Sequence, residues 1–413
     1  MTSMIFHLCS GMKMEAGLDR TDRKFLCGKA NTCYHGILSR EEYFDMPKRK
    51  YEHLVKPLSV GGMDMEIMKK LEGPKDAFAN GPGNADNLVW LNGRDHLEGM
   101  DLNFTWGFYS GLGDWHTGQD PHVHPYPECL VFVGLDSANI NYLGAEIEIC
   151  LGEEQETYTF DEPSVVVVPA GFPHCPLVTR RVFSPKGFGF YLASLGAVPE
   201  TTWMGDGISE EAVRALEDMA AEAGVKVPMK SRVAEKRVKK NPTKATGKYA
   251  HLIKPLKSAI LTERGKMNIE RFSPEERAQF EEKRKTSGEM LGPGNADHLA
   301  WMYGKDLEGL DMNLTWGFYS KPGIWHRGVG AHVHPAAEVL VFAGLDPANM
   351  DCLGAEIEIE MGKEHERYVF DRPTVVICPA GLPHNPVVVR WVDRPYAFYV
   401  IGLSGDHQTS AVD

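Results

Sequence analysis

Pro121-His-Val-His-Pro-Tyr-Pro-Glu128 is followed, 210 positions later, by Ala331-His-Val-His-Pro-Ala-Ala-Glu338. Side chains on a β-strand alternate between its faces, so a His-x-His spacing sends both imidazoles to one side without distorting the backbone. The glutamate after a short turn adds a hard oxygen donor to this pair. Each stretch has a distant companion, Pro169-Ala-Gly-Phe-Pro-His174 and Pro379-Ala-Gly-Leu-Pro-His384. A third imidazole brought in from that strand would complete a mixed nitrogen and oxygen shell, with positions left for water, substrate or dioxygen.

Working outward, the whole region proves to be duplicated. Gly81-Pro-Gly-Asn-Ala-Asp86 recurs as Gly292 to Asp297, Thr105-Trp-Gly-Phe-Tyr-Ser110 as Thr315 to Ser320, and Leu143 to Ile149 as Leu353 to Ile359. The register holds at 210 from Leu97 and Leu307 to His174 and His384. Upstream, Lys50 to Leu58 matches Lys248 to Leu256. Missing such a repeat would misassign the architecture. Runs such as Cys129 to Val133 and Ser164 to Val168 are short, rich in β-branched residues, and bounded by Gly, Pro or Asp, the pattern of strands in a sandwich or barrel. Helices are expected at the periphery. Ser209 would cap one running to about Ala223, and Ser273-Pro-Glu-Glu276 would open another as a capping box. Lys230 to Lys248 is basic and reads as a solvated connector.

With glycine, His-x-His, Glu and a second glycine in one motif, and Pro-x-Gly-x-x-His in the other, each repeat resembles the cupin superfamily. The chain as a whole resembles a bicupin. That resemblance implies an all-β fold of duplicated double-stranded β-helix (jelly-roll) barrels with a few peripheral helices. It carries metal-ligand roles to His122, His124, Glu128 and His174, and to His332, His334, Glu338 and His384. Gly118, Gly134, Gly328 and Gly344 fit the flanking glycines. The expected division is an extension and lead-in to the first barrel over 1–80, a first barrel over 81–200, and a helix and basic linker over 201–248. A second lead-in with a helix over 249–291, a second barrel over 292–405 and a tail over 406–413 would follow.

Other residues invite roles beyond the ligand sets. His116 and His326, each after a Trp, would stand at the site entrance as proton carriers or as hydrogen-bond partners of the ligands, and Glu146 and Glu356 are expected to face solvent, serving as acid or base only if they point inward. Trp106, Phe108, Tyr109 and their partners Trp316, Phe318 and Tyr319 read as core, with the lining of a substrate pocket as the alternative. The copies differ at Tyr126-Pro127, which becomes Ala336-Ala337, and at Cys175, which becomes Asn385.

Composition narrows the function. The 413 residues are 43% hydrophobic and 24% charged with a net charge of −13, and nucleic acids and anionic lipid need the opposite sign. No run approaches the roughly 20 apolar residues of a membrane span, and the N-terminus lacks the charge pattern of a signal peptide. Eight scattered cysteines without a CxxC pair suggest reduced thiols; Cys27 and Cys33 are read as free thiols. The expectation is a soluble cytoplasmic enzyme with a small-molecule substrate, no nucleic acid or membrane partner, and room for homo-oligomerisation. The resemblance implies a divalent metal, two per chain, with Fe(II) or Mn(II) favoured and Ni, Co or Zn admitted. A dioxygenase-like reaction on an aromatic or enolisable oxygenated molecule is the preferred activity. A non-oxidative decarboxylase, isomerase or lyase is the alternative, and a non-catalytic ligand sensor belongs to a different class.

Overall fold

Two neighbouring strands show how one sequence period builds two cores at once. Along Glu128–Val133 and Ser164–Val168 every residue is buried. Cys129, Val131, Val133, Val165 and Val167 join one apolar cluster, whereas Leu130, Phe132, Val166 and Val168 join another. Period two therefore points one set into the first barrel and the other into the seam against the second barrel. Such strands read as unbroken apolar runs because neither face meets water.

The computed structural model describes residues 49–62, 84–115, 120–206, 208–222, 230–238, 241–256, 296–325 and 330–412. It is all-β, a duplicated jelly roll. In the first barrel, Ile253–Pro255, Ser164–Val168, Glu128–Val133, Phe188–Ser194, Asn103–Tyr109 and Ala85–Asn92 form one sheet in that order. The facing sheet runs Glu200–Gly205, His122–Val123, His174–Val182, Ala145–Leu151 and Glu156–Phe160. The second barrel repeats both sheets. Its site-bearing strands are His332–Val333, Glu338–Ala343 and His384–Val392. Among the described residues no helix is long and apolar enough to cross a membrane.

The repeats exchange their lead-in strands. Val55–Pro57 precedes the first barrel in the chain, yet it pairs with Thr374–Cys378 of the second. Ile253–Pro255 follows the first barrel and pairs with its Ser164–Val168. The segment expected to lead into the first barrel thus completes a sheet of the other one. Each lead-in is pinned in the same way. Tyr51 donates its backbone N–H to the Tyr368 hydroxyl at 3.0 Å, and Tyr249 donates to that of Tyr158 at 2.9 Å. Gly362 and Gly152 sit beneath these rings at φ 74° and 76°, where a Cβ would lie 2.1 and 2.3 Å from ring carbons.

Between the barrels, Trp106 and Trp316 lie with ring centroids 5.6 Å apart, and Tyr191 stacks on Tyr399 at 4.3 Å. All four are essentially fully buried. Truncating such an aromatic leaves a cavity that costs about 3–5 kcal/mol. Trp106→Ala is accordingly expected to lower the midpoint of chemical denaturation, and an unchanged midpoint would show that the seam contributes little to stability.

One sequence expectation is overturned and another is met. The basic stretch is no free connector, because Lys230–Val238 forms a strand parallel to Glu200–Gly205. Its charges find partners on the barrel wall: Lys230 and Arg232 each reach Glu200 at 2.9 Å. The helix after Ser209 spans Glu210–Glu222, with the Ser209 Oγ accepting the Ala212 N–H at 3.1 Å, as its cap reading required. The Ser273 helix, Cys27 and Cys33 lie outside the described residues.

Candidate metal centres

In the first barrel, His174 pairs with His122 across adjacent strands, which sets two imidazoles side by side. His124 follows on the same face. Glu128 opens the strand whose inward positions are Leu130 and Phe132, so the same alternation aims its carboxylate into the barrel. The result is compact. Glu128 Oε1 lies 3.1 Å from His174 Nε2 and 3.6 Å from His124 Nε2, and the imidazole centroids are 4.3 to 5.2 Å apart. In the second barrel Glu338 Oε1 lies 3.0 Å from His384 Nε2 and 3.5 Å from His334 Nε2, with His332 beside them.

The outer nitrogens are committed elsewhere. His122, His124 and His174 turn Nδ1 to the carbonyls of Asp120, Glu200 and Phe172 at 3.2, 2.6 and 3.2 Å. His334 and His384 do the same with Gln408 and Leu382 at 2.7 and 3.0 Å. A carbonyl can only accept, so each Nδ1 carries the proton and each Nε2 presents a lone pair inward. Glu128 Oε2 accepts from the Ser194 hydroxyl at 3.0 Å.

Two inward atoms, Glu128 Oε1 and His334 Nε2, are buried without a hydrogen-bond partner. Buried lone pairs left unsatisfied are costly. A divalent cation satisfies several at once, and imidazole with carboxylate is a donor set suited to Fe, Mn, Ni, Co or Zn. The residues present therefore fit such an ion. Burial alone would raise the Glu128 carboxyl, but His124 and His174 outweigh it and hold the group at about 2. Glu338 is likewise held low by His334 and His384 against its burial. Both remain ionised donors at neutral pH.

A cavity of about 110 Å³ opens from the first cluster. Tyr109, Trp115, Phe190 and Trp203 wall it, together with Leu88, Leu130, Leu177 and Leu192. Its polar groups are largely occupied: Asn103 bridges Trp90 and the Gly196 carbonyl, Thr105 accepts from Leu192, and the Tyr126 hydroxyl accepts from the Glu200 amide. The cavity is an apolar vessel with one polar end.

Glu146 and Glu356 do not point into either barrel. Their neighbours Ala145, Ile147, Ala355 and Ile357 take the inward positions, which leaves the glutamates outside, with Arg181 at 3.8 Å from Glu146 and Arg390 at 3.3 Å from Glu356. An acid–base role for them is set aside. His116, His326, Gly118 and Gly328 lie outside the described residues. Trp106 and Phe108 belong to the seam, while Tyr109, one residue on, faces the cavity.

Sequence reading missed four participants. Trp203 packs 4.9 Å from His122, and Ser194 holds Glu128. Cys378 lies within ligand distance of Glu338 and His384, and His407 of His334 and Glu338. Cys175 was noted only as a difference between the copies; it lies beside His122 and His174. Cys175 and Asn385 occupy left-handed backbone at φ 75° and 80° immediately after the third histidine of each set, a conformation uncommon for residues other than glycine and concentrated at functional sites.

No family model matches the chain, and no curated protein matches it. Among solved structures, the chain is similar to oxalate decarboxylase from Bacillus subtilis determined at pH 4.6, at 12% identity and a TM-score of 0.43 over 80% of this chain and 75% of that one. A deletion variant of the same enzyme aligns at 11% identity and a TM-score of 0.46, over 80% and 76% of the two chains. A third structure, whose title concerns the Mn(II) centres of that decarboxylase, gives 12% and 0.44 over the same shares. The duplicated jelly-roll fold of this chain stands on its own strand order and register.

Proposed function

We propose that the chain is a metal-dependent enzyme acting on a small oxygenated organic molecule in the first barrel. His122, His124, Glu128 and His174 hold the ion there, and His332, His334, Glu338 and His384 hold a second. Fe(II) or Mn(II) is the preferred occupant. The carrying observation is the cavity itself, largely apolar along its walls, with the four donors converging at one end. Its volume of about 110 Å³ is of the order of the ~150 Å³ apolar cavity that takes up benzene, which suits a single-ring body.

A bound divalent ion would supply Lewis-acid polarisation of the substrate's oxygens and, for Fe or Mn, access to dioxygen chemistry. The chain's own residues do the rest. In the first barrel the carbonyl bonds to Nδ1 keep each of the three imidazoles in one tautomer and orientation, and Ser194 keeps Glu128 from rotating. Tyr126 stacks parallel to His124 at 5.7 Å, limiting approach from that side. Trp115, Phe190 and Trp203 displace water from the space a substrate would fill.

Among the described residues, no Lys or Arg lines the cavity. Among those residues a small dianion would find no fixed cation to balance a second carboxylate. The lining suits a phenolic or enolisable body instead, which supports the dioxygenase-like reading over a decarboxylase acting on a small diacid. The measurement is oxygen uptake by Fe- or Mn-loaded protein against a panel of monocyclic phenols, catechols and enols, with carbon dioxide release followed in parallel. Oxygen consumed in step with substrate is expected. Carbon dioxide released without oxygen uptake would transfer the assignment to non-oxidative lyase chemistry, and saturable binding with neither would make the protein a ligand sensor.

A further inference from the structure

The two centres are built differently, and the differences compensate one another around a residue outside both motifs. In the first barrel the ring stacked on the second histidine is Tyr126, and the group touching the free carboxylate oxygen is the Ser194 hydroxyl. In the second barrel both are missing: Ala336 stands for Tyr126, and Gly402 pairs with Glu338 as Ser194 pairs with Glu128. One side chain takes both places. The His407 imidazole lies 4.4 Å from that of His334 and its Nδ1 is 3.8 Å from Glu338 Oε2. Trp301 supports it edge to face at 4.7 Å.

His407 has no histidine counterpart in the first repeat. The strands bearing the third histidines correspond at an offset of 210, whereas Ser194 with Gly402, and Glu200 with Gln408 as carbonyl partners of His124 and His334, correspond at 208. At that offset His407 answers to Pro199, which only lines the cavity wall. Small residues at Ala336 and Ala337 vacate the room that the imidazole enters.

We infer that His407 is a fifth protein ligand to the second metal, closing on that ion the approach that remains open to the cavity in the first barrel. Nitrogen and oxygen donor atoms of His334, Glu338 and His407 lie within 4.8 Å of one another, and the 3.8 Å between His407 Nδ1 and Glu338 Oε2 is inside the roughly 4.4 Å that two bonds of about 2.2 Å to one ion can span. The second centre is then a closed, retaining site, and the first an open, exchanging one. Closed shells characterise structural metal sites, while catalytic sites keep a position free. The inference rests on the reading of the two clusters as metal centres.

The test uses the full-length protein loaded with Co(II), whose visible absorption reports coordination number, and follows release of the metal to excess chelator. Two phases are expected, and His334→Ala should abolish the slow one. His407→Phe keeps a ring against Trp301 and His334 but offers no donor. It should speed the slow phase by about tenfold or more, the scale of losses seen even when outer partners of metal ligands are removed. With the first centre emptied by His124→Ala, the same substitution should raise the remaining Co(II) absorption as coordination number falls. A slow phase and spectrum unchanged in His407→Phe would overturn the fifth-ligand assignment while leaving the two-centre reading intact. Wild-type protein binding less than one Co(II) would instead sink the cluster reading, and this inference with it.

Discussion

His124→Ala protein is expected to carry about one metal per chain instead of two and to lose turnover by more than about a hundredfold, whereas His334→Ala loses the other metal and keeps most of its activity. The substitution removes one Nε2 donor from an enclosed four-ligand set and leaves the other barrel untouched, since the two clusters occupy separate interiors. Metal bound only to the native state adds about 4 kcal/mol at a thousandfold excess over its dissociation constant, so each variant should also unfold at a lower denaturant concentration than the loaded parent. The asymmetry in activity follows from the surroundings. Only the first set borders the apolar cavity described above, with Tyr126, Cys175 and Trp203 around it, while alanines replace Tyr126 and Trp203 in the second. Elemental analysis and initial rates on both variants decide the matter. Equal fractional losses of rate would mean two equivalent catalytic sites, and undiminished metal in both would remove His124 and His334 from the ligand sets.

The ligand sets, the barrels and the cap at Ser209 were legible because each rests on a local rule that one sequence carries: period two along a strand, a repeated motif at constant offset, a hydroxyl before a helix. What escaped reading depends on distant pairing. Lys230–Val238 has the composition of a connector, and only the open edge of Glu200–Gly205 turns it into a strand. The exchange of lead-in strands is invisible in the repeat itself, since identical sequences suit either barrel equally well. Glu146 and Glu356 alternate with apolar residues, and alternation alone does not say which face is inward until Ile147 and Ile357 are placed. His407 was hidden by the two-residue change in offset after the third histidine, which shifts the tail out of the register that exposed the other candidate donors.

Acid should dismantle the sites in a defined order, because both shifted groups in the first centre push the same way. Burial lowers the His124 imidazole below its usual value, with Glu128 working partly against that and His174 adding to it. For a group depressed in the folded state, the unfolded chain takes up the proton first. The stability His124 contributes is therefore present above its unfolded value near 6.5 and declines as pH falls below it. Glu128 is held at about 2 against an unshifted 4.5, so its contribution, on the order of 3 kcal/mol, is complete above pH 4.5 and is lost as pH drops toward 2. Metal-free protein is thus expected to lose stability in two stages on acidification. Loaded protein should release its ions over the upper stage, since the imidazoles must be unprotonated to bind. Glu128→Gln should weaken the lower stage, to which Glu338 also contributes, and leave the upper one. Denaturation midpoints of metal-free parent and variant between pH 7 and 3 measure this, and parallel curves across the whole range would show that Glu128 is not held ionised by the histidines around it.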